Sequence, residues 1–190
     1  MKKSTTKTIA ALILLVAGFL ASCSGKADVS KVQEPRISIH EATFMGNTKA
    51  VRDHIAFGTD LNMKDEFGSN PLNIAITFGK IEVAKLLIAG GTDLSALMAD
   101  GSTVLHTAAF FGRTEIVESI LAKGIDTQVR NSYGSTAQES LIPPFAQVKV
   151  IYDQMSRDFG PLGLKLNYDD IKAARPIISE MISNYDKAQQ

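Results

Sequence analysis

Few side chains in this sequence are equipped for chemistry. There is one thiol, Cys23, and there are three imidazoles, His40, His54 and His106. A lone thiol is a nucleophile only as its thiolate, and is otherwise a site of acylation or oxidation. Histidine is the usual general base near neutral pH, but it serves equally as a hydrogen-bonded turn or core residue. The adjacent carboxylates Asp169 and Asp170 follow Asn167. They read as the acidic first turn of an asparagine-capped helix, which is simpler than an acid–base pair. No Gly-Xaa-Ser-Xaa-Gly elbow, metal-spaced His/Cys pair or phosphate-binding glycine loop occurs. The expectation is a chain that is not an enzyme, with no metal and no cofactor, whose function resides in a binding surface.

The elements that must carry such a surface are periodic. Asp100–Gly124 (DGSTVLHTAAFFGRTEIVESILAKG) reads as a turn, a short helix, a tight corner, a second helix and a glycine stop. A shift of 33 residues brings the pattern back. Gly46, Gly79 and Gly112 share one column, Gly58, Gly91 and Gly124 a second, and Gly68, Gly101 and Gly134 a third. Ala42, Ala75 and Ala108 fall in phase, as do Asp60, Asp93 and Asp126, and Ile39, Leu72 and Leu105. A fixed period of this length is the mark of a solenoid. Each glycine column stands where a helix ends or a turn needs a left-handed residue, so alanine there should cost about 1 kcal/mol or more. Between them, Ile81, Val83, Ala84, Leu86, Leu87 and Ile88 have helical spacing, repeated by Ile116, Val117, Ile120 and Leu121. One helical hairpin cannot bury that face alone, so neighbouring hairpins must stack.

Asn70-Pro71-Leu72-Asn73 and Thr103-Val104-Leu105-His106 resemble the Thr-Pro-Leu-His signature of the ankyrin-repeat family. The resemblance covers Ile37–Leu141 and implies an all-α solenoid of helix-turn-helix repeats with β-turn fingers. It makes His106 a structural histidine, with His40 in the same place one unit earlier. His54 falls where Leu87 and Ile120 lie in the other repeats, and is expected to be half exposed on a cap.

The chain begins with the basic Met1–Lys7 and an apolar run, Ile9–Leu20, too short to span a bilayer. Residues 1–22 therefore read as a secretory signal peptide. Leu20-Ala21-Ser22-Cys23 is similar to the lipobox of bacterial lipoproteins, which implies acylation of Cys23. The plainer alternative is a secreted protein with a stray thiol. Ser24, where an aspartate resembles an inner-membrane retention signal, points to the periplasmic face of the outer membrane. Residues 23–36 then form a lipidated tether. Loss of the leader's Lys2, Lys3 and Lys7 leaves 17 of the 20 basic residues against 20 acidic ones. That mild acidity argues against a nucleic-acid partner or an anionic membrane face.

The repeats are expected at Ile37–Asn62, Met63–Leu94 and Ser95–Gln128, with a partial fourth at Val129–Leu141. The first lacks a finger, and its second helix carries Arg52 and Asp53, as a terminal cap requires. Pro143-Pro144 should break the fourth repeat's first helix. Residues 142–190 read as a helical C-terminal cap. In it, Phe145–Arg157 could be a displaced second helix of repeat four, with Val148, Ile151 and Met155 on one face. Ile178, Met181, Ile182 and Tyr185 should close the open end of the stack, and Pro176 should restart or kink the last helix.

In the family, partners meet the concave side, formed by finger tips and the ends of first helices. Carried over position by position, the helix ends are Phe44 and Met45, Thr77 and Phe78, and Phe110 and Phe111. The fingers supply Lys64, Glu66 and Phe67, then Leu97, Ala99 and Asp100, then Arg130, Ser132 and Tyr133. The implied partner is another protein with a basic and apolar face, complementary to Glu66, Asp100 and Glu115. Phe78 and Phe111 could equally pack against the adjoining repeat. Small ankyrin lipoproteins of this kind resemble immunity proteins against type VI secretion effectors, lipases among them. An adaptor for a resident envelope enzyme, such as one in oxidative-stress defence, is the alternative. Before it meets a partner the chain is expected to be a monomer.

Overall fold

The computed structural model describes residues 33–190, so the leader, Cys23 and the tether up to Val32 lie outside the described residues. Those described form eight α-helices and short 3₁₀ turns, with no strand among them. Helices α1 (Ile39–Met45) and α2 (Thr48–Phe57) make the first hairpin, α3 (Pro71–Thr77) and α4 (Ile81–Ala89) the second, and α5 (Val104–Phe110) and α6 (Thr114–Leu121) the third. A 3₁₀ turn at Glu139–Leu141 follows, then α7 (Phe145–Phe159) and α8 (Tyr168–Ala188).

Local chemistry fixes where these helices begin. The side chains of Ser38, Asn70 and Thr103 each accept the backbone N–H three residues on, covering a donor that has no partner within the helix. In α5 the cap is reciprocal, because the His106 imidazole also accepts the N–H of Thr103 at 3.2 Å. All nine glycines of the three columns have positive φ, between 65° and 92°. The sequence spacing thus corresponds to real left-handed positions.

Packing runs in two rows. The first helices α1, α3 and α5 lean on one another, and so do the second helices α2, α4, α6 and α8. Leu72, Ala75, Ile76, Val83, Ala84 and Leu87 form the middle of a continuous core that extends through Leu105, Ala108, Ile116, Val117 and Ile120. Small alanines on the first helices let the rows close, and the larger aliphatics fill the space between.

Arg113 ties consecutive corners together. Its Nε and Nη2 donate to the carbonyls of Ile76 and Thr77, which end α3. The Ile76 carbonyl is shared with the Gly79 N–H at 3.2 Å, the Thr77 carbonyl has no helical partner, and a cation there also meets the negative end of the helix. Burial pulls the Arg113 guanidinium below its ordinary value.

The C-terminal region departs from the expected arrangement in one respect. The outer-row place of a fourth second helix is taken by α8, while α7 (Phe145–Phe159) lies outside both rows. The reason is the 3₁₀ turn before Pro143-Pro144, which is too short to be a first helix and sends the chain across the stack. Ile171, Ala174, Ile178 and Ile182 of α8 are buried, with Met181 and Tyr185 packed at their margin, so the open end is covered. Pro176 does not interrupt α8, which is helical on both sides of it.

Candidate protein-binding face

The histidines are consumed by structure. Nε2 of His40 donates to the carbonyl of Met63 at 2.9 Å, and Nε2 of His106 donates to that of Ser135 at 3.0 Å. Each thereby fixes the segment that follows it. His54 is buried, not half exposed: Nε2 meets the carbonyl of Ile37 at 2.9 Å and Nδ1 meets the Thr59 hydroxyl at 3.0 Å. Two polar partners let an imidazole stand in an apolar column. Asp169 and Asp170 give their backbone N–H groups to Oδ1 of Asn167, as a capped helix start should.

The fingers are built by aspartate and asparagine turns. Oδ1 of Asp65, Asp100 and Asn131 accepts N–H groups two residues on, and for Asp65 and Asn131 also four on. Neighbouring fingers are linked, with Ser132 N–H donating to the carbonyl of Asp100 at 2.8 Å and Lys64 Nζ to that of Leu97 at 3.3 Å. These turns hold Phe67 and Tyr133 at the tips with 81% and 79% of their surface exposed, too much for either to be core. Met45, Leu97, Lys64, Glu66, Ala99 and Ser132 are also exposed.

The first-helix ends divide into two groups. Phe44 and Phe78 meet edge to face at 4.8 Å across repeats one and two, with Phe78 half-buried and Phe44 more open. Thr77 is half-buried beside them, its carbonyl held by Arg113. In repeat three neither aromatic of the pair carried over from the family stands free. Phe111 is only 3% exposed and is withdrawn from any partner, its ring meeting Phe110 edge to face. Phe110 is half-buried beneath Tyr152 of α7, the rings stacked at 4.4 Å. The Tyr152 side chain has no exposed surface, and its hydroxyl donates to the carbonyl of Phe110 at 2.6 Å. Burial pushes that hydroxyl up to about 12, with the Arg175 guanidinium opposing the shift. Phe145 stacks on the far side of Tyr152, and Tyr168 lies against both.

Sequence reasoning missed this arrangement. Its one signal was the seven-residue spacing of Phe145, Tyr152 and Phe159, which places three aromatics along one face of a helix. Arg130 is exposed but engaged, its guanidinium meeting both Glu139 oxygens at 2.5 and 2.8 Å. That pairing pulls the Glu139 carboxyl below its ordinary value, helped by the Thr136 N–H.

Between α7, α5 and the last two fingers lies an open cleft of about 460 Å³. Its walls include Met98, Phe110, Tyr133, Val148, Ile151 and Met155. What this face can do is bind: it offers exposed apolar tips, a bounded apolar hollow and few groups able to transfer a proton.

Comparison with known proteins agrees with the geometry. A family model described as ankyrin repeats (3 copies) matches residues 39–131. Protein phosphatase 1 regulatory subunit 27 of Homo sapiens is 38% identical over 50 residues, covering 26% of this chain and 32% of that protein. The Mus musculus protein of the same name matches equally. The chain therefore spans about a third of the length of these curated relatives. With helices stacked in two rows, fingers at one edge and no strand among the described residues, residues 39–131 are an ankyrin-repeat array within an all-α solenoid.

Proposed function

We propose that this chain is a protein-binding lipoprotein of the bacterial envelope, tethered through Cys23 at the periplasmic face of the outer membrane. In this reading it is an immunity protein that binds and neutralises an antibacterial, phospholipase-type effector of type VI secretion. The observation that carries the binding role is the exposure of Phe67 and Tyr133 on hydrogen-bonded turns, with an open apolar cleft beside Tyr133. Aromatics presented on an already ordered backbone are typical interface anchors. A tethered binder would stand where such a toxin arrives, and would block it without catalysis.

A second reading has its own support. The curated relatives are named as regulatory subunits of an enzyme, which favours an adaptor for a resident envelope enzyme. Affinity capture from periplasmic extract, with identification of what co-elutes, separates the two. A secreted lipase, encoded beside its secretion machinery, supports immunity, while a resident detoxifying enzyme supports the adaptor. Turnover of substrate by the purified chain alone would remove both.

A further inference from the structure

The cleft under α7 has a chemistry more specific than its apolar walls. Asp100 is the one charged side chain on its wall among the described residues. Its carboxylate accepts only from Ser102, through the backbone N–H at 3.0 Å and the hydroxyl at 3.1 Å. No cation pairs with it or with Glu66 among the described residues. Of the fingers' basic groups Arg130 is paired with Glu139, which leaves Lys64, bonded to the neutral carbonyl of Leu97, against Asp65, Glu66 and Asp100. The finger edge is therefore left with uncompensated negative charge beside an apolar hollow. His106 also lines the hollow, but both its ring nitrogens are occupied by Thr103 and Ser135.

The opposite wall is set by α7, held over α5 through Tyr152 and bounded by Pro143-Pro144 and by Gly160-Pro161-Leu162-Gly163. Ile151 and Met155 on α7 face Met98 and Tyr133 across the space. Methionine on both walls lets the hollow fit an irregular apolar group. Its volume lies in the range of sites that enclose a small ligand or a short segment.

We infer that this cleft receives an apolar segment of a partner protein that carries a lysine or arginine, with Asp100 as its counter-charge and α7 as its outer wall. This rests on the protein-binding reading. It adds that recognition uses a helix outside the repeats, and it narrows the expected basic and apolar face to one inserted segment opposite Asp100.

The test uses the full chain in mild detergent and three fluorescein-labelled decapeptides, read by fluorescence anisotropy. One is rich in leucine and phenylalanine with a central lysine pair. The second has glutamates for the lysines, and the third has serines for the apolar residues. The lysine peptide should bind at least about tenfold more tightly than either of the others. Asp100→Asn and Ile151→Ser should each weaken it about fivefold or more at unchanged melting temperature, since neither side chain is core. Equal binding of the lysine and glutamate peptides overturns the proposal. So does insensitivity to both substitutions, or preference for a fatty-acid probe such as decanoate. A co-eluting partner that still binds both variants would remove the cleft while leaving the protein-binding reading intact.

Discussion

Tyr152 is the point at which the position of α7 can be tested. It is the one fully buried side chain of that helix, and it connects α7 to the repeats by a stacked ring and one hydrogen bond. Tyr152→Phe keeps the ring and removes only the hydroxyl. The Phe110 carbonyl, at the end of α5, then loses its donor, at a cost of about 1 kcal/mol, rising to roughly 2 if no water replaces it. Tyr152→Ala also removes the ring, and truncation of a buried aromatic costs about 3–5 kcal/mol. Urea denaturation followed by circular dichroism gives both values, and amide exchange shows where the loss falls. Protection should fall first in α7 and at the end of α5, with α3, α4 and α6 least affected.

The pH dependence gives a second readout. A hydroxyl held near 12 in the folded chain, against 10.0 ordinarily, stays protonated after the unfolded chain has lost its proton. Stability is therefore complete below about pH 10 and falls as pH rises towards 12, by about 1.4 kcal/mol for each pH unit in that window. Tyr152→Phe should remove that contribution to the slope. An alanine variant that loses less than about 1 kcal/mol, with α7 exchange unchanged, would refute the reasoning.

Other outcomes can be checked independently. Thr43 is buried without a hydrogen-bond partner for its hydroxyl, so Thr43→Val should stabilise the chain by about 1 kcal/mol or more, read as a higher urea midpoint at unchanged slope. Gly124→Ala should cost about 1 kcal/mol, because its φ is 75° but the space around it is open. At Gly112 an added Cβ would lie 3.1 Å from Cα of Ile171 and 3.2 Å from Cβ of Ala174. Gly112→Ala should therefore cost about 1–3 kcal/mol more than Gly124→Ala by the same denaturation assay. Phe67→Ala with Tyr133→Ala should weaken partner capture at least tenfold while the melting temperature moves by no more than a few degrees. Cys23→Ser should release the protein from the membrane fraction, and persistence there after salt and carbonate washing would count against the lipid anchor.

The repeats were legible because their constraints are local. A glycine that must be left-handed and an alanine that must be small recur every 33 residues, and three frames expose the columns. Finger residues such as Phe67 and Tyr133 could be placed at the tips by the same register. Phe111 could not be assigned, because an aromatic beside a corner glycine can turn inward or outward, and only the neighbouring unit decides. The path of α7 was hidden for a related reason. It depends on long-range contacts between Tyr152 and α5 that have no periodic trace. Arg175 shows the limit most clearly. Arginine is rarely buried, yet here it lies 5% exposed, its Nη2 donating to the carbonyls of Leu141 and Pro143. The Leu141 carbonyl needs an outside donor because Pro143 and Pro144, two and three residues on, have no N–H groups to offer.

The seat of α8 has a consequence for how this protein can change length. Its latch is written for one neighbour: Asp186 accepts from Thr127 and Gln128, Gln138 donates to Ser179, and Tyr185 donates to the carbonyl of Ile125. A duplicated unit spliced in after α6 would have to reproduce every one of those receptors. A copy inserted between the second and third hairpins would leave them untouched. Growth or shortening of the array, by evolution or by engineering, is thus steered to its interior, and the last hairpin and its closing helix travel as a single inherited block.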